Sequence, residues 1–325
     1  MKKTIHRCPF RVAIFMTSCL MIIAGCSSSR NSNPPQPNQP AQAAQPQSQP
    51  TFEQQQQAAE KQARPEVEQE RQKAEQQADQ SLNKDAMDAI SETQKALDAI
   101  SHNNKSEAMA AMEAATGKIN ILLARNSAVA LIPVASEVNV IDSAPVDEKA
   151  VDALNREVSD AVKVRNYPAA RLLLYSMMSE IRVRVYNLPL ATYPEALKDA
   201  ARVLDQGQND QARQVLLTAL NTLAIVETVT PIPVVLARAA INAAEQQSQK
   251  DKNAAQTLLA TAKQQLKRGQ DLGYMTNGPE YDALNNNIAQ LEKQLKGNGE
   301  TGSLFAKLKD ELSPLFNRQS TQEKR

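Results

Sequence analysis

The residue types that carry most enzyme chemistry are scarce in this chain. Its 325 residues include two histidines and three cysteines. His6, Cys8 and Cys19 lie in a segment expected to be removed. That leaves His102, in a predicted turn among Asn and Lys, as the working imidazole. One imidazole assembles no Ser-His-Asp set, no histidine pair on a helix and no Cys/His metal cluster. Asp and Glu are plentiful, but no spacing marks a catalytic carboxylate pair. Gly297, Gly299 and Gly302 spell G-x-G-x-x-G, which cradles phosphate only after a strand and before a helix. Here the spelling follows a helical pattern and reads as a linker. The expectation is therefore no enzyme, no cofactor and no metal. What remains is a cluster of amphipathic side chains. Tyr167, Tyr175, Tyr186 and Tyr193 are four of the six tyrosines, with Arg171, Arg182 and Arg184 among them. Tyr and Arg join apolar area to hydrogen-bonding tips, which suits a ligand or partner groove. Tyr175, Tyr186, Tyr193, Arg182 and Arg184 are the candidate binding residues. The competing seat for them is the core of an aromatic-poor bundle, with the arginines turned to Glu180 and solvent.

The N-terminus carries chemistry of a different kind. Lys2, Lys3, Arg7 and Arg11 precede an apolar run from Val12 to Ala24. The run is short for a membrane-spanning helix, which needs about 20 residues, but it fits the apolar region of a secretory signal. It ends in Ile23-Ala24-Gly25-Cys26, which resembles the lipobox of bacterial lipoproteins. The resemblance implies a diacylglycerol on the Cys26 thiol, removal of residues 1–25, and an anchor in the cell envelope facing the periplasm. Ser27, rather than Asp, after the cysteine implies the outer membrane. The mature chain then has no disulfide and no free thiol, so its core alone must hold it. Removing four basic residues from 37 leaves 33 against 36 acidic, a net charge of −3. No electrostatic footprint for nucleic acid is present.

The elements that must position the tyrosines are helical. Gly is rare, and Ala, Gln, Leu, Glu and Lys dominate. Residues 26–80 are first Ser, Asn, Pro, Gln and Ala, then a charged stretch interrupted by Pro65 with no apolar face. The expectation is a disordered tether over its whole length. From residue 81 the pattern changes. Ala108, Met112 and Ala115 stand at offsets 0, 4 and 7, and the triplet recurs as Ala170-Leu174-Met177, Ala212-Leu216-Ala219 and Ala255-Leu259-Ala262. Each puts a small residue on one helix face for close approach of a partner. Four helical hairpins are implied. The second helix of a tetratricopeptide repeat has the same spacing, but the intervals here, 62, 42 and 43 residues, are not that array's constant 34.

Between the hairpins lie three β-branched, proline-containing segments, at 128–141, 179–190 and 226–236. They predict short extended pieces, because proline bars the middle of a sheet. Thr192 and Glu195 are spaced as a capping box with proline in the first turn, and Asn277 to Glu280 repeats the arrangement. Residues 297–325 read as a linker, a short amphipathic helix bearing Leu304, Leu308 and Leu312, and a tail. That helix has two destinations, the body of the protein or a membrane or partner helix. The fold class is mainly α: about four hairpins in a bundle over residues 81–296, with short β segments between them, preceded by a disordered tether.

The block from Ala96 to Tyr274 resembles the YfdX family of bacterial envelope proteins, in VNVIDS (138–143), NLPLATYPEALKDAARVLDQG (187–207) and ARQVLLTALNTL (212–223). The resemblance implies a mostly helical, secreted protein of the stress response to heat or acid. It implies chaperone-like or small-molecule-binding behaviour rather than catalysis. Expected partners are the membrane through the lipid, and unfolded clients or small molecules. The alternative is a hairpin scaffold docking one envelope protein. Ala-rich hairpin faces leave a homo-oligomer open.

Overall fold

A computed structural model describes residues 52–125, 129–276, 278–297, 299–316 and 318–319. The proposed leader, Cys26, the first half of the proposed tether, Asn277 and the tail beyond residue 319 lie outside the described residues. The chain divides into Met1–Ser48 and Gln49–Arg325. The second unit is mainly helical, with a small antiparallel sheet.

The four hairpins stand where the triplets place them: α2 (Lys84–Ser101) with α3 (Lys105–Arg125), α4 (Glu148–Lys163) with α5 (Tyr167–Ser176), α6 (Tyr193–Asp205) with α7 (Asn209–Asn221), and α8 (Ile232–Gln247) with α9 (Lys252–Asp271). The first three turn alike. Asn103, Arg165 and Gly207 adopt φ of 56°, 58° and 78°. The next residue's N–H reaches back to Ala99, Ala161 or Val203, at 2.8, 2.8 and 3.0 Å. This satisfies a helix-end carbonyl in the Schellman manner. The side chains of Asn83, Asp147, Asn166 and Asp251 cap the following helices by accepting backbone N–H bonds, each worth about 1 kcal/mol. The Thr192–Glu195 capping box does not form. Thr192 makes no side-chain cap bond, and Glu195 turns to Lys198 instead, at 2.8 Å. At the second such site the N-cap is Gly278, which has no side chain to cap with.

The segments between hairpins are longer strands than their proline content suggests. β1 (Leu131–Asp142), β2 (Ser179–Pro189) and β3 (Ala224–Pro231) run 12, 11 and 8 residues. They pair in order, antiparallel, and the two-residue β4 (Arg318–Gln319) joins β3. Proline is tolerated because of where it falls. Pro133 sits in the edge strand beside a register shift, and Pro189 and Pro231 end their strands. The third expected segment is only partly extended. Residues 232–236 are the first turn of α8, wholly buried, and a short apolar run cannot by itself distinguish strand from helix.

Three apolar cores result. One lies between α2–α3 and α6–α7, closed by Ile132, Val134 and Leu188 of the sheet. A second joins α8–α9 to α10 (Pro279–Lys296) and α11 (Gly302–Leu312). The C-terminal helix therefore docks on the body, burying Phe305, Leu308 and Leu312, with Leu315 beyond it. Of the glycines in the G-x-G-x-x-G spelling, Gly297 ends α10 and Gly302 opens α11. The third core packs Ile181 of the sheet against α8 and Val67.

Val67 corrects the tether. Residues 52–81 form one helix, α1, with Pro65 inside it. Val67, Ala74 and Ala78, at spacings of 7 and 4, form a narrow stripe that packs on α8 and the sheet. Two of these three are alanines, so the stripe is invisible as a hydrophobic face yet allows close approach. The buried Glu70 is met by Arg238 of α8 at 2.6 Å. Among the described residues no helix is long and apolar enough to cross a membrane.

Candidate functional site

The five candidate residues do not meet in one place. Arg182, Arg184 and Tyr186 alternate along β2 and so share one face of the sheet. Arg184 stands in register between Glu137 of β1 and Glu227 of β3, and pairs with Glu227. That hydrogen bond raises its pKa. The Tyr186 hydroxyl donates to Glu137 at 3.2 Å, which raises the phenol's pKa. Arg182 is bonded to Glu180. Tyr175 lies half exposed on α5. Tyr193 is fully buried at the start of α6 and donates to Thr93 of α2 at 2.9 Å. Burial pushes its pKa up to about 12, so the phenol is neutral at physiological pH and offers no base.

Of these five, Tyr193 lines an open groove of 580 Å³ between α6 and α7. Its making can be followed from the sequence. Gly207 folds the two helices together, and Ala200 and Ala212, both fully buried, bring them close near the turn. Ala196, Val215 and Ala219 form an apolar floor beside the Tyr193 ring. Thr192, Gln211, Gln214, Thr218 and Thr222 form a rim of hydroxyls and amides. Glu195 and Asp199 complete it, each already paired with a basic residue of α6, Lys198 at 2.8 Å and Arg202 at 3.3 Å. Sequence reasoning missed this wall. Its only signal was a helical-period stripe of Thr and Gln on two facing helices, which reads as an ordinary solvated face. The volume falls within the range of small-molecule sites, and the apolar floor with a few convergent polar groups is their usual chemistry.

A second polar cluster pins the sheet to the C-terminal helices. The Tyr274 hydroxyl, also missed in the sequence, accepts the Ser179 N–H and donates to Glu180, both at 2.8 Å. Burial, chiefly, raises its pKa. Ser179 in turn donates to Asp142 at 2.8 Å, and Asp142 also receives Arg64 of α1. The buried Arg268 of α9 donates to the carbonyls of Ala144 and Pro145, at 3.0 and 3.3 Å. The acids here are engaged by cations and hydroxyls, which suits a clasp. Among the described residues no group of three His, Cys, Asp or Glu side chains is placed to hold a metal.

Against known proteins, residues 89–229 match the family model described as YfdX protein. No curated protein matches the chain. Among solved structures, a crystal structure of Salmonella Typhi YfdX is similar at 12% identity and a TM-score of 0.31, covering 46% of this chain and 91% of that one. The family match is shorter than the block from Ala96 to Tyr274 read from the sequence. It runs from α2 to β3, taking in three hairpins and three strands, and leaves α1 and α8–α11 outside. Residues 89–229, somewhat under half of the chain, thus carry a match to the YfdX family model.

Proposed function

We propose that this protein is a non-catalytic binding protein of the bacterial envelope, held to the membrane by lipid on Cys26 and facing the periplasm. Its ligand is a small amphipathic molecule seated between α6 and α7. The observation that carries this is the 580 Å³ groove, with its apolar floor and a rim made mostly of hydroxyls and amides. Glu195 and Asp199 at the rim already pair with Lys198 and Arg202 of their own helix, and the floor is apolar, so the groove favours an apolar body with hydrogen-bonding groups at its edge. Such binding accords with the stress-associated, chaperone-like or ligand-binding role that the family resemblance implies.

N-phenyl-1-naphthylamine, an uncharged fluorescent amphipath, is a suitable probe. Saturable one-to-one binding is expected. Thr218→Trp fills the groove from an exposed position, and should weaken binding at least tenfold with an unchanged circular dichroism melt. Equal binding by the variant, or no saturable binding by the parent, would overturn the reading. The anchor is tested separately: Cys26→Ser should prevent incorporation of labelled palmitate and release the protein from the membrane fraction.

A further inference from the structure

The α4–α5 hairpin stands outside all three cores, to which no residue from 143 to 178 belongs. α5 seats itself by one side only. Ala170 is buried, as is Met177 just past the helix end, and Leu173 between them is half-buried. At about 100° per residue, the opposite side carries Tyr167, Arg171 and Tyr175 in one row, at i, i+4 and i+8. Leu174 flanks that row on one side and Leu172 on the other, 51% and 71% exposed. Both tyrosines are more than half exposed, and Val164 stands bare at the hairpin tip. Tyrosine and arginine flanked by leucine is the composition of a membrane–water boundary, where rings and stems lie against the acyl region and polar tips stay wet.

Charge is sorted in the same sense. The acids of the hairpin, Glu148, Asp152, Glu157 and Asp160, all lie on α4. From Ala161 to Met178 there are three cations, Lys163, Arg165 and Arg171, and no acid. Lys163 pairs with Asp160 at 2.9 Å, which leaves the two arginines as the excess charge of the turn and of α5. An anionic lipid surface attracts such a face.

The path of the chain points the same end at the membrane. α1 lies antiparallel to β1: Asp79 meets Ser136, and Arg64 meets Asp142, the last residue of the strand. Asp142 is in register with Ser179, the first residue of β2. The α4–α5 hairpin therefore leaves the sheet and returns to it at this end. Beyond Arg64, α1 continues for twelve residues to Phe52, roughly 18 Å of helix. Only 25 residues then separate Phe52 from Cys26. The chain departs for its anchor from the end of the sheet that bears the hairpin.

We propose that the Tyr167–Arg171–Tyr175 face of α5, with Val164 at the tip, rests on the anionic lipid surface to which the chain is anchored. This builds on the lipid anchor proposed above. A ten-residue helix is too short to span a bilayer, so α5 lies in the plane of the interface. The anchor holds the hairpin within reach, and a contact too weak to retain a free protein then suffices to fix how the body stands.

The test uses the full chain purified from cells that express it and reconstituted into vesicles of phosphatidylcholine and phosphatidylglycerol. The dye NBD is attached at Leu172→Cys or, as control, at Ile225→Cys. Ile225 is exposed and pairs with Tyr186, toward the far end of the sheet. A lipid bearing a nitroxide on its headgroup should quench the dye at position 172 severalfold more than at 225. Arg171→Glu should remove at least half of that quenching with an unchanged melting temperature. Palmitate labelling of the same chain reports the anchor separately. Acylated protein quenched equally at the two positions overturns the docking and leaves the anchor standing. A dye at 172 shielded from aqueous iodide but not reached by the nitroxide assigns the face to a protein partner, and also overturns the docking. A chain that takes no palmitate overturns the anchor, and the docking with it.

Discussion

Tyr193 shows how a residue type can be legible while its seat is not. The sequence marked it as an amphipathic side chain in an unusual stretch. The residue that receives its hydroxyl, Thr93, is a hundred positions away, and nothing local announces such a partner. Thr93 passes its own proton to the Ala89 carbonyl at 2.8 Å, so Tyr193→Phe leaves one buried acceptor empty. It should cost about 1 kcal/mol in urea denaturation, whereas Tyr193→Ala should cost about 3–5 kcal/mol by opening a cavity. Asp142 gives a pH dependence. Burial alone would raise its pKa, but the hydrogen bonds from Arg64 and Ser179 and the nearby Arg268 outweigh it and hold the carboxyl below its usual range. A carboxyl depressed in the folded state adds stability above its unfolded pKa and loses it as pH falls through the folded value. Asp142→Asn should therefore be less stable than the parent by about 1–2 kcal/mol at pH 7. The two denaturation midpoints should converge as the pH falls below about 4. A gap that stays constant down to pH 2 would show that the carboxylate charge does not matter there.

At the scale of elements, the hairpins and two of the three main strands could be read because their signals are periodic and local. The 0, 4, 7 triplets found the helix pairs, and the alternation of Val138 with Val140 and of Val183 with Val185 found β1 and β2. α1 could not be read, since its contact is made by one valine, two alanines and a buried ion pair. Arg238 is the key to that contact. It holds Glu70, and its guanidinium lies 4.0 Å from the centre of the Phe316 ring. Arg238→Ala should cost about 3 kcal/mol, much of it from the carboxylate left behind. Adding Glu70→Gln should recover part of that loss. In hydrogen exchange, the amides of residues 64–81 should lose protection first, ahead of those of α6 and α7.

At the scale of the whole molecule, the family match stops within β3, yet the sheet's inner face is closed by α1 and α8, which lie outside the match. A chain cut at residue 229 would expose Ile181 and its neighbours. One cut at residue 296 would lose Phe305, Leu308, Leu312 and Leu315, about 6–10 kcal/mol of burial. That is comparable to the entire stability of a domain, so α8–α10 should lose exchange protection while the separate core of α2, α3, α6 and α7 keeps it. The sheet also governs how the molecule meets other strands. A free edge can recruit another extended chain. On one side β4 occupies part of β3's rim. On the other, Pro133 removes a donor and the register shift beside it breaks the row. Pro133, which made the first segment look too broken to be a strand, is what interrupts the outer edge of the finished sheet.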